Sequence, residues 1–165
     1  LIVDYRQYPA NSWRCLPPYL FEEPEVGLLG VSISEAVPGT FVKEPVYNFF
    51  NKPRAVYPYE KEVVVLIDEH SQSAPEYAAM LVRNAENVTL MGENTLGSDG
   101  HCLIVPIPGG NMVLYTAYGI YTPEGGQTQR IGIPPDIEVK KTIEGIKEGR
   151  DELMEAAVEY IQEQK

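Results

Sequence analysis

The sequence predicts an α/β fold, and three observations carry the prediction. Val63-Val64-Val65-Leu66-Ile67 is a continuous, largely β-branched run with charge on both sides, the pattern of a central strand buried on both faces. Ser73-Ala74-Pro75-Glu76 opens a helical stretch through about Asn84, in which Ala78 and Ala79 are small enough to let the helix lie close on a sheet. Asn87 to Met91 then reads as a further strand. With 165 residues, 44% of them hydrophobic, the chain can bury the core of one ordinary domain.

The remaining elements follow in order. Leu1 to Tyr5 reads as a short buried strand closed by Asp4 and Arg6, then a turn and a short helix around Ser12 to Phe21, which Pro17 and Pro18 limit. Residues 22–60 are rich in proline and in aromatics without a sustained period: Phe41, Tyr47, Phe49, Phe50, Tyr57 and Tyr59. This is a long excursion with one or two edge strands, its rings packed on the core or on an upstream segment. Gly92 to Gly100 is a glycine-punctuated loop. His101 to Ile107 and Met112 to Tyr121 form a hairpin across Pro108-Gly109-Gly110-Asn111. Pro134-Pro135-Asp136 leads into a last short strand, and the final helix, within 150–165, carries Leu153, Ala157, Tyr160 and Ile161 on one face.

Composition excludes several functions. A net charge of -11 offers no basic surface for nucleic acid, and the acidic stretch from Asp151 to Gln164 reads as a solvated helix face. Cys15 and Cys102 stand at neither metal-ligand nor redox spacing and are expected to be ordinary part-buried thiols. No apolar run approaches the length of about 18 residues that a membrane span needs. Two histidines without a clustered carboxylate motif argue against zinc catalysis, no phosphate-cradling loop follows a strand, and no cofactor is implied. The chain opens on Leu1 in the middle of a strand pattern, which suggests a processed or truncated protein and leaves its compartment open.

Ser73 sits where a strand gives way to a helix, and two readings of it stand side by side. Ser73 with Glu76 three residues on is a capping box, with Pro75 tolerated in the first helical turn. The same geometry would set the hydroxyl beside free main-chain N–H groups at the positive end of a helix, where a developing oxyanion is stabilised.

A resemblance bears on that choice. The segment Val65 to Ala79, with Asp68-Glu69-His70-Ser71-Gln72-Ser73-Ala74-Pro75-Glu76 at its centre, resembles the nucleophile segment of the C-terminal-processing (tail-specific) serine peptidases. Three more segments resemble that family in the right order: Leu1 to Arg6, Met91-Gly92-Glu93-Asn94-Thr95-Leu96-Gly97, and Gly132-Ile133-Pro134-Pro135-Asp136-Ile137-Glu138-Val139. The resemblance implies Ser73, not Ser71, as nucleophile. It also implies a strand-strand-helix spiral of the crotonase and caseinolytic-protease type, incomplete because the N-terminal part of the core is absent. Residues 1–165 would then be the C-terminal portion of a catalytic domain.

Two positions depart from the family pattern. Where the serine-lysine branch carries its lysine, this chain has Ser98 followed by Asp99, so another base is required. Where the family often has a glycine cluster that helps form the oxyanion hole, this chain reads Gln7-Tyr8-Pro9-Ala10, and Pro9 has no N–H to give. The Ala74 N–H is left as the better-supported donor. The resemblance is closest to the tricorn-like branch, whose histidine lies in an upstream segment that no stretch of this chain matches. Within that branch Glu124 is a candidate to orient the base and Asp99 a candidate to support the oxyanion, although each also fits plain turn chemistry. His70 and His101 read first as loop histidines, with His70 near enough in sequence to fold back on Ser73.

The expectation is a serine-type peptidase that cleaves a polypeptide substrate by acyl-enzyme formation, with a base supplied from outside the chain and the isolated fragment inactive. An extracytoplasmic or envelope setting is implied by the resemblance alone. The alternative is a catalytically inactive peptide-binding module of the same fold, favoured by the missing lysine. A crotonase-type acyl-CoA enzyme would leave the serine turn and the Gly-Ile-x-Pro-Asp segment unexplained.

Overall fold

The computed structural model describes residues 1–9, 12–49 and 59–164. Along them run β1 (Ile2–Asp4), a 3₁₀ turn (Ser12–Arg14), α1 (Pro17–Leu20), β2 (Val26–Ile33), β3 (Phe41–Tyr47), β4 (Val63–Ile67), α2 (Ala74–Val82) and β5 (Val88–Gly92). They continue through β6 (Cys102–Ile107), β7 (Asn111–Thr116), β8 (Gly119–Tyr121), β9 (Ile137–Glu138), α3 (Ile143–Glu148) and α4 (Glu152–Glu163). The expected α/β class holds.

The aliphatic run 63–67 is the organising strand. All five residues of β4 are fully buried, because the period of two sends its side chains into different layers. Val63, Val65 and Ile67 pack with Ala78, Ala79 and Leu81 of α2. Val64 and Leu66 pack with Met91, Leu153 and Ala157 on the other side. Flanking β4 are β1 and β5, both parallel to it, and β9 completes a sheet in the order β1-β4-β5-β9.

A second, antiparallel sheet in the order β3-β2-β8 covers the far side of α2, with Leu28 and Ile120 joining the α2 core. Here the sequence reading is corrected. The first part of the proline-rich excursion holds a paired hairpin, and β2 is the middle strand of its sheet, because Leu28 and Gly27 lie against Leu81 of α2. The expected helix over 12–21 is split into a 3₁₀ turn and the one-turn α1, as Pro17 and Pro18 dictate. Of the excursion's aromatics, Phe49 is buried with Phe21 and Ala85, Tyr59 packs on the main core, and Phe41 is exposed. Phe50 and Tyr57 lie outside the described residues.

Past the glycine loop, β6 and β7 pair as expected over Cys102–Ile107 and Asn111–Thr116. The second strand stops there, however. Gly119–Tyr121 leaves the hairpin to pair with β2 as β8, so Ala117 and Tyr118 form the corner between two sheets. Both cysteines are free and exposed, a correction to the part-buried thiols expected. Among the described residues no helix is long and apolar enough to cross a membrane. None of their His, Cys, Asp and Glu side chains form a group of three or more able to hold a metal ion.

Helix α4 closes the sheet face opposite α2, with Leu153 and Ala157 buried and Tyr160 and Ile161 packed beside them, the face its spacing predicts. Asp151 caps it, accepting the Met154 N–H at 3.1 Å. Asp151 is held in turn by Arg6 at 2.7 Å, and Arg6 also grips Asp4. The end of β1 and the start of α4 are thereby tied together. Leu153→Ala is expected to cost about 2–5 kcal/mol in urea unfolding, since it empties a fully packed site between α4 and β4. A loss below about 1 kcal/mol would mean that the α4 layer contributes little.

Candidate active site

The site begins at the carboxyl end of β4. The turn that follows contains two serines, and the structure separates their tasks. Ser71 is fully buried. Its hydroxyl donates to the Tyr5 carbonyl at 3.0 Å and accepts the Asp68 N–H at 3.0 Å, so it pins the turn to the end of β1. Ser73 is half-buried and stands at the start of α2 with φ 64° and ψ -110°. An ordinary helix cap has extended main-chain angles, with its side chain accepting from the first turn. A non-glycine residue in the left-handed half of the map is strained, and such strain collects at functional positions. The capping box with Glu76 is formed, but on main-chain angles that an ordinary cap does not have.

Glu76 holds this conformation in place. Its side chain is wholly buried, yet it accepts four hydrogen bonds: from the Ser73 N–H at 3.0 Å, the Thr95 hydroxyl at 2.6 Å, the Gly97 N–H at 2.7 Å and the Ser98 N–H at 3.0 Å. Four donors compensate the burial of a carboxylate. Thr95 extends the link, as its Oγ1 accepts the Ile133 N–H at 2.7 Å. Three of the four sequence segments singled out above thus meet on one side chain and its neighbour. Gly97 has φ 73°, and a Cβ there would come within 2.8 Å of the Gly132 nitrogen, so only glycine lets the two loops touch. Glu76 is the site residue that the sequence reading assigned only to a cap; the capping box was its one visible signal.

A cleft of about 740 Å³ opens beside Ser73 and Ala74. Trp13 of the 3₁₀ turn and Tyr77 of α2 form one wall, edge to face with ring centres 6.4 Å apart. His101 and Tyr118 form another, at 6.0 Å. Tyr8, Arg14 and Val46 complete the rim. Burial holds the Tyr77 phenol above its ordinary range, with the charge of Asp99 adding to the effect, so it stays a neutral hydrogen-bond donor.

The other candidate residues are dispersed. Ala74 is the first residue of α2 and lines the cleft with Ser73. Ser98 is exposed and faces a different hollow, with its N–H on Glu76. Glu124 lies on the exposed turn 122–126, outside the cleft lining. Its carboxyl is held below the usual range by main-chain and Thr122 hydrogen bonding, in keeping with turn chemistry. His70 is exposed beside Glu69 and does not line the cleft, whereas His101 does. The bonds described for the Ser73 main chain run from its N–H to Glu76 and to its carbonyl from the Tyr77 N–H. Of the segment 7–10, Tyr8 reaches the cleft, and Ala10 lies outside the described residues.

Asp99 is buried one residue before the cleft wall. Its Oδ2 accepts the Thr128 hydroxyl at 2.9 Å, while its Oδ1 has no hydrogen-bond partner among the described residues. Burial pushes its carboxyl up to about 6, against the Thr128 bond, which lowers it, and with help from the negative charge of Glu76. Folding therefore favours the protonated form. This contribution to stability is complete below about pH 3.8 and is lost as the pH rises through about 6. Asp99→Asn removes the titration, so its stability relative to the parent should improve by roughly 2–3 kcal/mol between pH 4 and pH 7.5. An equal difference at both pH values would show that Asp99 does not titrate in this window.

Comparison with known proteins places the chain among peptidases. A family model described as peptidase family S41 matches residues 29–139. A carboxy-terminal-processing protease of Bartonella bacilliformis is 33% identical over 84 residues, which is 51% of this chain and 19% of that protein. A solved structure of a candidate peptidase from Parabacteroides merdae superposes with a TM-score of 0.76 at 27% identity, over 90% of this chain and 46% of that one. The tricorn protease shares the fold, with a TM-score of 0.63 at 15% identity, over 98% of this chain and 14% of the other. The chain therefore spans about a fifth of the curated relative's length and under half of the Parabacteroides structure.

Proposed function

Because the chain belongs to peptidase family S41, we propose that it carries the nucleophile of a serine-type peptidase and cleaves a polypeptide by forming an acyl-enzyme on Ser73. The single observation that carries this reading is the strained main chain of Ser73, held by Glu76 at the mouth of an open cleft. Attack of Oγ on a peptide carbonyl forms the Cα-side acyl ester through a tetrahedral oxyanion, and the leaving amine takes the proton that Oγ gave up. The Ala74 N–H at the start of α2 is the proposed oxyanion donor, supported by the helix dipole. Water then hydrolyses the ester and regenerates the serine.

The proton of Oγ needs an acceptor. Among the described residues no histidine, lysine or carboxylate is hydrogen-bonded to that hydroxyl, and Ser98 stands where a lysine would serve. We assign the base to a histidine outside these 165 residues, in an upstream segment that would complete the site, as in the tricorn-like branch. A fluorophosphonate should then label Ser73 rapidly in a longer protein that includes such a segment and much more slowly in the 165-residue chain. Equal rates would refute an external base and turn attention to His101, the histidine in the cleft.

The second reading, an inactive peptide-binding module of the same fold, is favoured by Ser98 at the lysine position. A longer protein whose Ser73 resists the fluorophosphonate while still binding peptides would decide for it.

A further inference from the structure

We propose that the Ser73 cleft seats a substrate side chain that is aromatic or bulky and apolar, held between the Trp13–Tyr77 pair and the His101–Tyr118 pair, and that it rejects a cationic one. The proposal deepens, and rests on, the reading of Ser73 as the reacting group.

Four rings from four separate parts of the chain converge on this one cleft. Trp13 comes from the 3₁₀ turn, Tyr77 from α2, His101 from the end of the glycine loop, and Tyr118 from the corner between the two sheets. Each pair meets edge to face, at 62° and 80°, the arrangement that suits the ring quadrupoles and leaves further ring surface for a third aromatic group. A cleft of about 740 Å³ has room for such a group.

The space is kept open by glycines. Gly30, in the middle strand β2, lies under Tyr118, and a Cβ there would come within 2.3 Å of its ring. Tyr118 can therefore rest against bare main chain instead of standing further into the cleft. Gly100, with φ 103°, is packed in the same way against the Tyr118 carbonyl, at 2.5 Å from where a Cβ would stand. A lining of this kind serves side-chain recognition; reaction at Ser73 alone would not require it.

Charge points the same way. The chain has 24 acidic and 13 basic residues, yet among the described residues lining the cleft there is no aspartate or glutamate. Arg14 stands there stacked on Trp13, 4.6 Å from the ring centre. A lysine or arginine of the substrate would find no carboxylate in this lining, would meet the positive charge of Arg14, and would find Arg14 already against the Trp13 ring.

The test is calorimetry on the full 165-residue chain with acetylated pentapeptide amides that differ only at the central residue, Phe, Ala or Lys. The Phe peptide is expected to bind at least about tenfold more tightly than the Ala peptide, and the Lys peptide more weakly than either. Trp13→Ala should cut the Phe-over-Ala preference to below about threefold. Gly30→Ala, a residue outside the lining, should weaken Phe binding several-fold by displacing Tyr118. Equal affinities, absence of binding by all three, or a preference that survives Trp13→Ala overturns the proposal. The peptide series on the unmutated chain decides the matter even where a variant fails to fold. The two readings fail separately. Binding without phosphonate labelling of the longer protein sinks the nucleophile alone, and labelling without side-chain preference sinks the seat alone.

Discussion

Glu76→Ala is expected to lower the unfolding free energy by roughly 3–5 kcal/mol and to abolish phosphonate labelling of Ser73 in any longer protein that labels. The deletion leaves three main-chain N–H groups, those of Ser73, Gly97 and Ser98, together with the Thr95 hydroxyl, facing a void. Each unpaired buried donor costs about 1–3 kcal/mol, and partial relaxation or entry of water recovers some of the sum. Glu76→Gln is not a conservative control. Each carboxylate oxygen accepts two bonds, so an amide NH₂ must be set against donors whichever way it is turned. We expect a loss of about 2–3 kcal/mol for the amide, between parent and alanine. Urea unfolding of all three proteins measures this order. An alanine variant within about 1 kcal/mol of the parent would mean that the four bonds are not a clamp.

Ser73 should respond in the opposite sense to Glu76: a large effect on reaction and a small one on stability. In a longer protein that cleaves peptides, Ser73→Ala is expected to reduce kcat by at least about 10⁴-fold, because the neighbouring Ser71 is fully buried with its hydroxyl bound to the Tyr5 carbonyl and cannot replace it. Ser73→Gly should be equally inactive, yet more stable than Ser73→Ala by about 1 kcal/mol, since glycine adopts φ 64° without steric cost. A simple cap also loses about 1 kcal/mol on change to alanine and only a few tenths with glycine, so it is the loss of activity in both variants, not their difference in stability, that separates a reacting serine from a cap. A Ser73→Ala protein that keeps full activity would end the nucleophile assignment.

Much of the site was legible along the chain because its segments carry strong local constraints. The aliphatic run 63–67 had to be buried on both faces, and it is, between α2 and α4. The serine turn, the Thr95-to-Gly97 loop and the Gly132-to-Asp136 segment stood out singly. Their meeting on Glu76 did not, since a carboxylate at the third helical position reads as a cap whenever its remote partners are invisible. Asp99 read as a turn residue or a support for the oxyanion for the same reason, since the Thr128 hydroxyl that bonds its carboxyl lies nearly thirty residues on.

The excursion over 22–60 was the hardest to read. Strand pairing depends on neighbours far away, and β2 earns its central place from Leu28 and Gly27 against α2 and from β8, almost ninety residues later. The hairpin was legible at its Gly109-Gly110 turn, whereas its second strand was read too long, because nothing local says where a strand changes sheets.

By itself, the sequence determined the strand–turn–helix junction and the burial of β4 on both faces, while the choice of Ser73 over Ser71 came from the family resemblance. Periodicity, turn chemistry and helix caps act between residues a few positions apart and are therefore written locally. Only the tertiary structure decided that Ser71 is a pin, that Glu76 is a clamp, and that Trp13, Tyr77, His101 and Tyr118 share one cleft. Those roles arise from contacts between distant segments, whose energies depend on burial that no single segment can supply.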